Sequence, residues 1–187
     1  IRDIETALAS GNPVSVANIL NNVRTEANIE LAEDAAQEIL NNYLAEEETF
    51  ASCNITRREY LNLVRRTTPD YEAYSPESKA YIDQKSVETF QQSPSLQQAV
   101  KDYQALPEAD RTAAEDKQRD NWKEFKSIRE NPELAETYKD QIALVRGLGM
   151  PNTPEGEKVI RMMRDKVDPA LIQAELNKTL DKQAVVT

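Results

Sequence analysis

The residues able to do chemistry in this chain are arginines and carboxylates. The densest basic group is Arg57, Arg58, Arg65 and Arg66. On a helical wheel the four cover about 180°, with Arg58 and Arg65 nearly aligned and opposite Tyr60 and Val64. Guanidinium groups make paired hydrogen bonds to carboxylate and phosphate, so this face suits an anion or an acidic partner. In the competing assignment, Arg65 and Arg66 complement the negative C-terminal end of the helix while the other two pair with acidic N-terminal helices. Tyr71, Tyr74 and Tyr81 follow, around the turn-rich stretch 67–75. Arginine and aromatics are the side chains that binding surfaces favour. Arg57, Arg58, Arg65, Arg66, Tyr71, Tyr74 and Tyr81 are therefore the candidate partner-binding residues. The alternative for the tyrosines is that they cover a junction between two helical layers. Lys158, Arg161 and Arg164 form a second, weaker basic edge.

Other chemistries are limited by what the chain lacks. It has no histidine, which excludes histidine-based acid–base catalysis, the Ser-His-Asp triad and histidine-ligated metals. Its single cysteine, Cys53, makes neither an intramolecular disulfide nor a Cys-rich zinc site. Without a histidine to activate it, Cys53 is read as a small buried or half-buried residue and not as a nucleophile. Gly147-Leu148-Gly149 follows a helix and reads as a stop signal, not a nucleotide loop. Glu46-Glu47-Glu48 lacks the spacing of a calcium loop and reads as a solvated helix end. Asn54-Ile55-Thr56 and Asn177-Lys178-Thr179 match the glycosylation sequon, which matters only on a secretory route. The residues thus point to no catalytic, metal or cofactor-binding set. Paired carboxylates acting on a glycoside are the one enzymatic alternative.

The 187 residues carry a net charge of −10, and it is unevenly placed. Residues 1–50 hold two arginines against ten acids, a balance of −8. An acidic surface repels phosphate backbones, so no nucleic-acid partner is expected there. No apolar run approaches membrane-spanning length, so a soluble chain without membrane insertion is expected. One cysteine fits a reducing compartment such as the cytoplasm, including the cytosol of a target cell.

Proline marks the elements that must position these residues. Of nine prolines, seven follow Asn, Ser, Thr or Asp: residues 13, 69, 76, 94, 132, 154 and 169. A polar cap before proline is a preferred helix start, because the side-chain oxygen accepts an orphan N–H and proline has none to satisfy. The spacing predicts helices over 1–10, 13–24, 28–44, 56–66, 76–92, 94–106, 154–167 and 169–182. Over 28–44, Ile29, Ala32, Ala36, Ile39, Leu40 and Tyr43 share a stripe that a partner helix could approach closely. Between Ala113 and Gly149 the pattern predicts a helical hairpin. Trp122, Phe125 and Ile128 line one arm; Leu134, Tyr138, Ile142, Val145 and Leu148 line the other; Asn131-Pro132 separates them. Trp122, the only tryptophan, is expected to be the buried anchor.

The expected fold is all-α: an elongated bundle of about eight or nine short helices around that hairpin. It is read as one helical domain over 1–187, with a sub-boundary at 67–75 between an acidic N-terminal part and a larger C-terminal part. The expected function is a non-enzymatic module that binds a protein partner through a charged and aromatic surface. The alternatives are a structural component of a larger particle or secretion apparatus, and a carboxylate-dependent hydrolase. A compact helical module without motifs also suits a secreted effector or a phage protein.

Overall fold

Side-chain caps set where six of the described helices begin. Ser75, Ser93, Asn131 and Thr153 each accept the backbone N–H three residues ahead, at 3.0–3.2 Å, and each is followed by proline. Asp168 Oδ1 accepts from the Ala170 N–H at 2.8 Å before Pro169. Thr56 caps without proline, accepting from the Glu59 N–H at 3.1 Å while its hydroxyl donates to the Glu59 carboxylate.

A computed structural model describes the backbone of residues 26–186 and the side chains of 29–182. The helices expected at 1–10 and 13–24 lie outside the described residues. Among the described residues there are nine α-helices and no strand: α1 (Glu26–Ser52), α2 (Arg57–Thr67), α3 (Pro76–Gln92), α4 (Pro94–Ala105), α5 (Glu108–Glu130), α6 (Pro132–Thr137), α7 (Lys139–Gly147), α8 (Pro154–Arg164) and α9 (Pro169–Val186). The chain is an all-α, multi-helix protein. No described helix is long and apolar enough to cross a membrane.

Contacts divide the chain into two compact units, 1–48 and 49–187, and the stretch 67–75 lies inside the second. In the first unit α1 is described from Glu26. Its stripe is not a buried one: Ile39, Leu40 and Tyr43 are about half exposed, as are Leu31 and Leu44.

The second unit holds two hydrophobic clusters. The first joins Phe50 and Cys53 to buried residues of α2, α3 and α4. At its centre the Phe50 and Phe90 rings stack at 4.6 Å, and Tyr60 tilts onto both. The second joins Phe125 and Ile128 of α5 to Tyr138, Val145 and Met150 and to the inner faces of α8 and α9.

Several boundaries differ from the sequence expectation. Despite its cap-and-proline pattern Thr68-Pro69 starts no α-helix, and the stretch is turn-rich as expected: Thr68 ends α2, Asp70 adopts a left-handed conformation (φ 59°), and a 3-10 turn follows over Tyr71–Ala73. The helix expected through 134–148 is two helices, broken at Tyr138 (φ −110°, ψ 22°). Tyr138 is buried and its hydroxyl donates to the Val167 carbonyl at 2.6 Å, so the chain turns to seat it. α6 packs back on α5, whereas the main contacts of α7 are with α9 and the 3-10 turn Met150–Asn152, so no simple hairpin forms. α8 ends at Arg164 and not at 167, with Lys166 left-handed (φ 60°) and the Lys166 and Val167 N–H groups bonded to the Met163 and Met162 carbonyls. Trp122 is only partly buried and packs against the edge of the second cluster. The buried anchors of α5 are Phe125 and Ile128, at 0% and 2% exposure.

Candidate functional site

Within the second unit a cleft of ≈ 1070 Å³ draws its walls from both clusters. Three helices each contribute side chains at helical spacing. From α3 come Ser78, Tyr81, Lys85 and Glu88; from α5, Trp122, Lys126 and Arg129; from α7, Lys139, Ile142 and Arg146. Each set spans two or three turns of one helix face. Tyr74 lies at the rim just before α3, and Tyr60, Val64 and Leu96 supply apolar surface.

Trp122 forms part of the wall. Its ring meets Phe125 edge-on at 6.1 Å, and its Nε1–H donates to Asn152 Oδ1 at 2.7 Å. Asn121 Nδ2 donates to the Pro151 carbonyl at 3.3 Å, so two bonds tie the 3-10 turn Met150–Asn152 to α5. Gly149 starts that turn at φ 61°, where a Cβ would also come within 2.8 Å of Leu96 Cδ2.

The charges along the cleft are poorly matched. Lys85 pairs with Glu88 at 3.2 Å, and Lys126 reaches Asp70 and Glu130 only at 3.9 and 4.0 Å. Among the described residues Arg129, Lys139 and Arg146 have no salt bridge. The Arg129 guanidinium lies over the Phe125 ring at 5.0 Å, and its Nε is buried without a hydrogen-bond partner. Burial, followed by the nearby Arg146 charge, holds Arg129 below the usual arginine value, against smaller opposing effects of Tyr74 and Glu130. Among the described residues no group of three or more acids or cysteines is arranged to hold a metal ion.

The seven residues singled out from the sequence fall in two places. Tyr74 and Tyr81 border the cleft, 36% and 55% exposed. None of the four arginines lines it, nor does Tyr71. Arg65 pairs with Asp83 of α3 at 2.8 Å, and Tyr71 is buried beside it with its hydroxyl donating to the other Asp83 oxygen at 3.1 Å. Arg66 pairs with Glu115 of α5 at 2.6 Å, and the Tyr103 hydroxyl donates to the same carboxylate at 2.7 Å. Arg65 and Arg66 therefore do more than complement a helix end: they bind α2 to α3 and α5. Arg57 lies over the Phe50 ring at 5.6 Å, and Arg58 is exposed. Burial raises the Glu115 carboxyl, but the bonds from Arg66 and Tyr103 outweigh it and hold the group below its ordinary range.

Sequence reasoning missed Trp122, Lys126, Arg129, Lys139 and Arg146 as a group. A signal was present: 122, 126 and 129, and 139, 142 and 146, each follow helical spacing, and each set carries two basic residues. Only the fold turns these separate stripes toward one cleft. No protein-family profile, no curated protein sequence and no solved structure matches this chain.

Proposed function

We propose that this protein is a binding module, working by recognition and not by catalysis, whose protein partner docks on the cleft between α3, α5 and α7. The observation that carries the reading is the convergence of Tyr74, Tyr81 and Trp122, all at least partly exposed, on one concave surface with cations beside them. Aromatic side chains present large contact area with few rotatable bonds, and together with arginine they dominate binding hot spots. The test is capture from a lysate of the native source, comparing the wild type with a Tyr74→Ala, Tyr81→Ala double variant. A partner retained by the wild type and lost with the double variant, at unchanged helicity and melting temperature, supports the reading. Equal capture by both proteins refutes it.

A second reading, a component of a larger assembly, draws on α1. Leu31, Ile39, Leu40, Tyr43 and Leu44 are about half exposed there, and rows of exposed apolar residues mark contact surfaces. Concentration-dependent self-association that Leu40→Lys abolishes would favour it.

A further inference from the structure

We infer that Arg129 and Arg146 form a recognition site for a doubly charged oxyanion, the phosphoryl group of a modified side chain on the docked partner. The inference rests on the docking reading above and adds the chemistry of the ligand. Arg129 and Arg146 line the same cleft, and among the described residues neither forms a salt bridge to a carboxylate. Arg129 is the more telling, since its Nε is buried with no acceptor. The Arg129 charge is partly withdrawn from water with no carboxylate to offset it, and an anion in the cleft would supply that counter-charge. The guanidinium lies over the Phe125 ring at 5.0 Å, and that contact restrains where the group can move.

The surrounding charges favour a dianion. Lys139 and Lys126 line the same cleft, Lys126 with Asp70 and Glu130 at 3.9 and 4.0 Å, while the lining acids are Glu88, already paired with Lys85, and Glu77 across on α3. One carboxylate would neutralise only one of the two arginines. A phosphoryl group carries about −1.5 to −2 at neutral pH and offers three acceptor oxygens, enough for both guanidinium forks. Tyr81 and Trp122 on the flanking walls suit an aromatic carrier for that group.

The probe is phenyl phosphate, titrated by calorimetry into the full chain at low salt, with Trp122 emission as a local reporter. Benzoate and inorganic phosphate are the comparison ligands. Saturable binding of phenyl phosphate, at least tenfold tighter than benzoate or inorganic phosphate, is expected. Arg146→Gln, on an exposed position, should weaken it roughly tenfold or more. Arg129→Gln should do the same while melting no lower than the wild type, because it removes an unmatched charge. No binding heat, equal affinity for benzoate, or full affinity in Arg146→Gln overturns the inference. Inorganic phosphate binding as tightly as phenyl phosphate overturns its assignment to a side chain. If phenyl phosphate fails while partner capture still depends on Tyr74 and Tyr81, this inference falls and the docking reading stands.

Discussion

Replacing Gly156 with alanine should destabilise the protein, although local propensity favours the change. Gly156 sits in the first turn of α8, and alanine in a helix interior is worth up to ~1 kcal/mol more than glycine. The opposing effect is steric. A Cβ on Gly156 would lie 1.7 Å from the Met150 carbonyl oxygen, 2.3 Å from its carbon and 2.7 Å from the Met150 Cβ, where real Cβ atoms essentially never come within 3.0 Å. The neighbour is backbone, so no flexible side chain can swing aside. The same carbonyl oxygen accepts from the Thr153 N–H and from Thr153 Oγ1, both at 2.8 Å. Moving it away loses those bonds at about 1 kcal/mol each. Overpacking adds about 1–3 kcal/mol, and a contact this short belongs at the upper end. After subtracting the gain in propensity, the net loss is about 3–4 kcal/mol. In a chain of this size, that lowers the melting temperature by roughly 6–16 °C. Circular dichroism melting measures it. Trp122 emission should change as well, because the displaced turn carries Asn152, its hydrogen-bond partner. An unchanged or raised melting temperature would refute the reasoning, and would mean that α8 and the turn Met150–Asn152 are not packed backbone to backbone.

Three further outcomes follow from the packing and the charges. Phe90→Ala, at 0% exposure and stacked on Phe50, should cost about 3–5 kcal/mol in urea denaturation, whereas the partly buried Trp122→Ala should cost less. Glu115→Gln should destabilise the protein at neutral pH, with the deficit disappearing in acid. The folded-state carboxyl titrates below its ordinary range, so its stabilisation is present above that range and is lost as pH falls through the lowered value. Melting curves of both proteins from pH 7 to pH 2 measure this, and a deficit that persists unchanged at pH 2 would count against the Arg66–Glu115–Tyr103 bonding. Arg65→Glu should lower the melting temperature by setting a carboxylate against Asp83, while Arg58→Glu, on an exposed position, should leave it within about 1 °C; equal effects would show that the two arginines do not differ in role.

The sequence by itself determined the helices and most of their starts. A cap bond joins a side chain to an N–H two or three residues ahead, so Ser75, Ser93, Asn131, Thr153 and Asp168 work through contacts that need no other part of the chain. The absence of histidine likewise excludes whole classes of chemistry before any folding is considered. What periodicity conveys is that a helix has an apolar face, not how deeply each residue of that face is buried. Phe125 and Trp122 share a stripe, yet one is sealed in the second cluster and the other forms the wall of a cleft, because the elements packed on α5 there, among them α8 and the turn Met150–Asn152, cover only part of its face. Charges show the same limit more sharply. Arg65 and Arg66 find Asp83 and Glu115 18 and 49 residues away, while Arg129 and Arg146, no different in type, have no carboxylate partner among the described residues. Pairing depends on which distant segments the packing brings within about 4 Å, and Coulomb attraction between exposed groups is too weak to decide that packing. The candidate site was therefore fixed by tertiary structure: three stripes visible in the sequence became one surface only when two hydrophobic clusters set the angles of α3, α5 and α7.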